Sequence, residues 1–325
     1  MGRVRHLLAP ARAARPSTGG RSARDYPSRM PFGLLTGLTA ALCWGTLDVI
    51  TALGSRVVGS LRVTAGMQLV TALIFGVLVV VTGTVLPDDP SSIALAVLLG
   101  LIGAGAYLSY FTGLQFGPIA VVSGMVAAFG GLTVVLAVVI RGETLTPLQA
   151  VGAAVATTGV LMTAIAFDGG VRSARFAGPG VVFALIALVL FALMAITTDV
   201  ALETMTWLQV YAIARGVNAA IGLTTLVVLG IAGHRLATLP TGGPAWSSTR
   251  VVVAITIAGV LDVLGLIAFA TGLETAPTWM VGLASSFGPA ITILVAVALL
   301  GERLRPIQWL GLAGILAGMV AIAIP

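Results

Sequence analysis

Three charged side chains lie within long apolar stretches of the sequence: Asp48, Arg215 and Asp262. Placing such a charge at the centre of a bilayer costs roughly 2.5 to 3.5 kcal/mol, so each must pair, face water or serve a function. The helical rise places Arg215 and Asp262 within reach of an ion pair on neighbouring antiparallel stretches. Two interpretations remain open. The pair is structural, or Arg215 binds an anionic group while Asp262 or Asp48 takes up a proton.

Helix-breaking residues interrupt two other apolar stretches at corresponding places, Gly130-Gly131 and Pro289-Ala290. A proline frees a carbonyl from the helix and glycines weaken the same ladder, so we expect both helices to bend near the bilayer midplane. Such paired interruptions point to a substrate site, and a kink used only for packing is the alternative. The surrounding hydroxyl and aromatic side chains complete the candidate substrate-binding site: Ser123, Phe129, Thr133, Ser285, Ser286, Phe287 and Thr292.

Residues for enzymatic chemistry do not form a pattern. The two histidines, His6 and His234, fall in the amino-terminal tail and a loop, so Ser285 and Ser286 lack a base. No His, Cys or carboxylate cluster has metal-ligand spacing, and Asp88-Asp89 stands alone in a Pro-flanked loop. We therefore expect no enzymatic activity, no bound metal and no cofactor.

Composition places the chain in a membrane, because 58% of its residues are hydrophobic, only 9% are charged and its mean hydropathy is +1.10. Barrel strands would alternate polar and apolar residues, which these runs do not. A helical span needs about 20 apolar residues, and we count ten such runs. The predicted spans are Phe32–Leu53, Val63–Val81, Ile93–Leu114, Ile119–Ile140, Leu148–Phe167, Gly180–Val200, Trp207–Ile231, Val251–Leu273, Thr278–Leu300 and Ile307–Ile324.

The chain is an internal duplication, because residues 100–159 align with residues 259–318 at a fixed offset of 159 without a gap. Each copy has five spans, an odd number, so the copies have inverted topology, as in many secondary transporters. The predicted fold is therefore an all-α, polytopic membrane protein of ten transmembrane helices in two inverted five-helix repeats, 32–167 and 178–324. The recurring residues include Gly113 and Gly272, Pro118 and Pro277, Gly142 and Gly301, Glu143 and Glu302, Pro147 and Pro306, and Gln149 and Gln308.

The charged residues inside the spans do not recur at the aligned positions of the other copy. Asp262 aligns with Gly103 at the offset of 159, and at a local offset of 147 Arg215 aligns with Gln68 and Asp48 with Ala195. By contrast, we expect the recurring glutamates to cap exposed backbone at interhelical turns or to pair with Arg141 and Arg303. Small residues of the fifth and tenth spans permit close helix approach, including within a homodimer: Gly152, Ala156, Gly159, Gly311, Gly314 and Gly318.

Orientation in the membrane is not fixed by the charges. All 17 basic residues are Arg, and seven of them precede the first span, in the tail formed by residues 1–31. These seven favour a cytoplasmic amino terminus, but the loops that would then lie outside carry eight more. Met30 stands just before the first span, so a start there, which leaves the tail untranslated, is the alternative to a disordered tail.

The positions of Trp44-Gly45, Gly113 and Pro118, and then Gly142-Glu143, Leu145 and Pro147, resemble the EamA-type family of the drug/metabolite transporter superfamily. The second copy repeats the pattern with Gly301-Glu302-Arg303-Leu304. The resemblance implies a ten-helix carrier that works by alternating access around a central cavity, in a family whose members export metabolites, amino acids or toxic compounds.

We therefore expect a secondary transporter of small metabolites or drugs, acting as an exporter in the cytoplasmic (inner) cell membrane. Its expected partners are a small-molecule substrate and the lipid bilayer, with proton coupling and a homodimer as further hypotheses and no nucleic acid. A passive facilitator and a non-transporting membrane scaffold remain the alternatives, and an intramembrane enzyme is the least favoured.

Overall fold

The computed structural model describes residues 30–117, 119–164, 179–231, 247–288, 290–292 and 306–324. Secondary structure within these ranges is helical, without a strand, as the predicted all-α class requires. The Arg-rich tail before Met30 lies outside the described ranges, and so do residues 165–178 and 232–246. The described helices are α1 (Met30–Val58), α2 (Ser60–Thr82), α3 (Pro90–Phe116), α4 (Ile119–Ala127), α5 (Phe129–Arg141), α6 (Pro147–Ala164), α7 (Pro179–Ala201), α8 (Trp207–Ile231), α9 (Ser248–Thr275), α10 (Thr278–Ser285) and α11 (Pro306–Ala323).

Six of the described helices, α1 to α3 and α7 to α9, are long and apolar enough to cross a membrane. They coincide with six of the ten predicted spans. Helices α6 and α11, which match two further predicted spans, have 18 residues each. The remaining two predicted spans, 119–140 and 278–300, are each interrupted near the middle.

Local residue chemistry explains where several helices begin and end. Gly142 ends α5 in the left-handed conformation with φ 66°, and Pro147 begins α6, both as predicted. Asp89 caps α3 by accepting a hydrogen bond from the backbone N–H of Ser92 at 2.9 Å. The hydroxyl of Ser91 also donates to this exposed carboxylate, and the two bonds lower the pKa of Asp89 to about 2.

The interruptions occur slightly before the predicted breakers, at Ala128 and at Ser286-Phe287. A proline clashes with the carbonyl four residues earlier, so Pro289 in the sequence predicts a helix break near Ser285, where α10 ends. Pro289 itself lies outside the described residues. At the first interruption the N–H of Ala128 donates to the carbonyl of Met125, three residues earlier instead of four. At an offset of 159 the N–H of Phe287 donates in the same way to the carbonyl of Ala284. The two copies therefore break at equivalent residues.

Helices of the first copy pack mainly on helices of the second. The most extensive contacts join α1 with α9, α3 with α7, α2 with α8, and α6 with α11. The small residues of α6 and α11 face each other within one chain, because a β-carbon on Gly159 would lie 2.7 Å from the carbonyl of Gly311. Likewise, a β-carbon on Gly318 would lie 2.6 Å from the carbonyl of Gly152. The predicted close approach is therefore used inside the chain.

Candidate functional site

A cavity lies beside the two interruptions, between helices of both copies. It contains about 670 Å³ of space not occupied by atoms, its open mouth included. Helices α1, α3, α4 and α5 contribute to its wall from the first copy, and α7, α9 and α10 from the second. We call this the central cavity, and its lining residues are Trp44, Leu47, Asp48, Tyr107, Tyr110, Phe111, Ser123, Val126, Ala127, Phe129, Phe191, Met194, Ala195, Phe269, Ser285, Ser286 and Gly288.

Aromatic rings form much of the cavity wall. Tyr107 and Tyr110 lie three residues apart on α3, a spacing that places them on one helix face. Phe191 of α7 contacts both rings edge-on, with centroids 5.3 Å and 5.9 Å away. Phe129 of α5 extends this cluster, 6.0 Å from Phe191. The cluster joins elements of the two copies and gives the cavity a largely apolar surface.

Asp48 of α1 places a carboxylate in this aromatic wall. Its side chain is only 7% exposed, and the hydroxyl of Tyr110 donates a hydrogen bond of 2.7 Å to its Oδ2. Trp44, one turn earlier on α1, packs against Phe269 of α9 with ring centroids 5.6 Å apart. Gly265 makes room for this indole, because a β-carbon there would lie 2.5 Å from Nε1 of Trp44.

Arg215 and Asp262 form the predicted ion pair, with 3.8 Å between Nη2 and Oδ2. Tyr107 links them, because Arg215 donates to its hydroxyl at 3.0 Å and that hydroxyl donates to Asp262 Oδ1 at 2.9 Å. Nη1 of Arg215 donates to Gln68 at 3.1 Å. Both charged side chains are buried, 2% and 0% exposed, so the pair lies behind the cavity wall and reaches it through Tyr107.

The residues predicted for the site fall into two groups. Asp48, Ser123, Phe129, Ser285 and Ser286 line the cavity. The hydroxyls of Ser285 and Ser286 donate to carbonyls of their own helix at 2.8 Å and 2.7 Å. The other described candidates lie outside the lining: Gly130, Thr133, Arg215, Asp262, Phe287 and Thr292.

Several of these outer residues hold the interrupted helices together. A β-carbon on Gly130 would lie 2.1 Å from Oγ of Ser286, so α5 and the end of α10 meet only because this position is glycine. The methyl group of Thr133 packs against Gly282, and a β-carbon added to Gly282 would lie 2.5 Å from this methyl group. The hydroxyl of Thr292 donates to the carbonyl of Gly45 in α1 at 3.0 Å. These residues position the site's helices.

A fourth charged side chain, within the predicted span Gly180–Val200, is buried in addition to Asp48, Arg215 and Asp262. Asp199, in the last turn of α7, is 1% exposed and pairs with Nε of Arg141 at 2.8 Å. Nη2 of Arg141 also pairs with Glu203. The available signal in the sequence was a pair of carboxylates four residues apart at the end of an apolar stretch, and in the structure α7 ends between them, at Ala201.

Glu143 pairs with backbone rather than with Arg141. Its two carboxylate oxygens accept the N–H groups of Thr278 and Trp279 at 2.9 Å and 3.0 Å, at the start of α10. Burial raises the pKa of Glu143, and the bonds from the two amides oppose this rise. The predicted capping role is therefore correct, but the helix that is capped belongs to the other copy.

Apolar helices of spanning length around a cavity define a helical, multi-pass membrane protein. The chain belongs to the EamA-like transporter family, which matches residues 31–165 and again residues 178–324. This assignment is consistent with the drug/metabolite transporter superfamily, and the EamA-like family is a family of transporters rather than enzymes.

One similar solved structure, described as "Crystal structure of protein", aligns with a TM-score of 0.69 and 21% sequence identity. The alignment covers 89% of this chain and 95% of that chain, which supports a shared fold. Among curated proteins, no sequence matches this chain.

Proposed function

We propose that the protein is a secondary transporter that moves small metabolites or drugs across the cytoplasmic membrane by alternating access. The observation that carries this proposal is the central cavity, which is bounded by both copies at the point where their helices are interrupted. Carriers with two pseudo-equivalent halves bind substrate at such a place, near the bilayer midplane.

The proposal includes an inverted repeat of two five-span halves, 32–167 and 178–324. Contacts between equivalent residues support a two-fold relation: Gly152 meets Gly318 and Gly159 meets Gly311, and the offset of 159 exchanges these two contacts. Gln68 and Arg215, equivalent at the local offset of 147, bond directly to each other. Such contacts arise when equivalent elements face each other across an axis.

Ten spans are part of the same proposal. Helices α4 and α5 together occupy one predicted span, and α10 begins another whose later part lies outside the described residues. The uninterrupted helices α6 and α11 supply two more. Non-helical backbone within a membrane is tolerated only where it is buried in protein or lines a cavity, and both interruptions meet this condition.

Proton coupling is proposed at Asp48, because this carboxylate borders the cavity and has a tyrosine hydroxyl as its partner. Asp262 is engaged by Tyr107 and Arg215, which supports the structural interpretation of that pair. Export is the proposed direction, following the resemblance described above.

Reconstituted vesicles test the proposal. A metabolite panel supplied to vesicles with and without the protein should give substrates whose accumulation depends on an imposed pH gradient and is abolished by an uncoupler. Asp48→Asn should remove the pH dependence, whereas Asp89→Asn, in an exposed loop, should leave it unchanged. Substrate that equilibrates without concentrating would indicate a passive facilitator, and the absence of any flux would contradict transport.

A further inference from the structure

We propose that the central cavity binds organic cations, specifically a protonated amine attached to an aromatic or apolar body, with Asp48 as the counter-charge. This inference rests on the proposed transport function and names its substrate class.

The described cavity wall offers one carboxylate and no basic side chain. Asp48 is the one acidic residue among the lining residues, and they include no Arg, Lys or His. The guanidinium of Arg215, which reaches the wall through Tyr107, is paired with Asp262, so those two charges offset each other. Among the described residues, Asp48 therefore has no basic partner in a site of low polarity, and a bound cation would supply its counter-charge.

The hydrogen bonding of Asp48 leaves room for a ligand. An ionised carboxylate accepts about four hydrogen bonds through its two oxygens. Among the described residues, the hydroxyl of Tyr110 donates one hydrogen bond to this carboxylate, at Oδ2 of Asp48. A protonated primary amine carries three N–H donors and no acceptor, so it matches a site that offers free acceptor capacity.

Aromatic rings suit the rest of such a ligand. Seven of the seventeen lining residues are aromatic, and they bound the cavity on α1, α3, α5, α7 and α9. Ring faces attract cations within about 6 Å and also pack against apolar or aromatic groups. Tyr107 already shows this affinity, because the guanidinium carbon of Arg215 lies 4.8 Å from its ring centroid.

Anionic ligands find no equivalent partner in the described wall. Arg215 would have to supply one, but it is 2% exposed and its Nη1 and Nη2 groups donate to Gln68 and Tyr107. An acid would therefore bring its charge next to that of Asp48. The same aromatic body should bind more weakly as an acid than as an amine.

Equilibrium dialysis of the purified full-length protein in lipid nanodiscs tests the inference. The probes are tryptamine, an ammonium at neutral pH, and indole-3-propionate, which carries a carboxylate on a similar indole body. We expect saturable tryptamine binding at least about tenfold tighter than that of the acid, the scale of a hydrogen bond to a charged group. Asp48→Asn should weaken tryptamine binding by on the order of tenfold or more, and Asp89→Asn should not weaken it.

The comparison of the two probes on the unmodified protein needs no variant, so it stands even where Asp48→Asn fails to fold. Equal or tighter binding of the acid, unchanged tryptamine binding by a folded Asp48→Asn variant, or no binding of either probe would each overturn the inference. Transport of neutral or acidic metabolites without amine binding would refute the cation site and leave transport intact. Amine binding without any vesicle flux would support the cation site and contradict transport.

Discussion

The contact between Gly130 and Ser286 gives a quantitative test of how the interrupted helices meet. In Gly130→Ala, the new β-carbon would lie 2.1 Å from Oγ and 2.5 Å from Cβ of Ser286. Non-bonded carbon atoms prefer about 3.5 to 4.0 Å, so the helices must separate by roughly 1 Å or more. Overpacking of this kind costs about 1 to 3 kcal/mol, and we expect a loss of stability in that range.

Removing the opposing side chain should relieve this cost. In the double variant Gly130→Ala with Ser286→Gly, the nearest remaining atom is Cα of Leu283 at 3.2 Å, a tight but tolerable contact. We therefore expect the two substitutions to be coupled by at least about 1 kcal/mol. Gly76→Ala in α2 is the matched control, because nothing lies within 4 Å of its new β-carbon.

The assay is the free energy of unfolding in mixed micelles, followed by tryptophan fluorescence for the original protein, the two single variants and the double variant. Vesicle transport measured in parallel would show whether separating the interruptions also alters flux. A Gly130→Ala protein as stable as the original, or a double variant whose loss equals the sum of the single losses, would refute the close contact.

Three further predictions concern the scaffold. Glu143→Ala should lower the free energy of unfolding by about 2 kcal/mol, because two backbone amides lose a charged acceptor. Hydrogen exchange in the first turn of α10 should become faster, and unchanged exchange would contradict the cap. Gly159→Leu should destabilise the protein by about 3 kcal/mol in the micelle assay, because the new side chain enters the α6–α11 contact. Gly230→Leu is the control, since no atom lies within 4 Å of a β-carbon at that position. Equal effects of the two substitutions would count against this packing. The Asp89 cap, whose pKa is lowered, should hold above about pH 4 and be lost as the pH falls to about 2. Exchange in the first turn of α3, corrected for its intrinsic rate, should rise over that range, and Asp89→Asn should abolish the pH dependence.

Features that depend on local backbone chemistry were predictable from the sequence. Gly142 and Pro147 delimit a turn through conformational preferences that need no knowledge of neighbours. The ion pair between Arg215 and Asp262 was also predictable, because buried charges must find partners and helical rise sets their depth. Paired breakers located the interruptions to within a few residues.

The identity of the cavity wall was not predictable in the same way. Helix α3 is apolar around its circumference, so its sequence does not indicate that Tyr107 and Tyr110 face inward. Asp199 stands next to the end of its predicted span, where a charge does not by itself suggest burial. Its partner Arg141 comes from a helix of the other copy, so this contact depends on tertiary packing.

The bond between Gln68 and Arg215 has a consequence for the ancestry of the fold. In a pair of identical chains related by a two-fold axis, a residue at the axis meets its own copy. Two glutamines could pair there, but two arginines would bring like charges together in an apolar interior. Under the two-fold relation proposed above, fusion of the halves allowed each position to change alone. The fused chain can thus carry a single positive charge at its axis, where separate identical chains could carry such charges only in pairs.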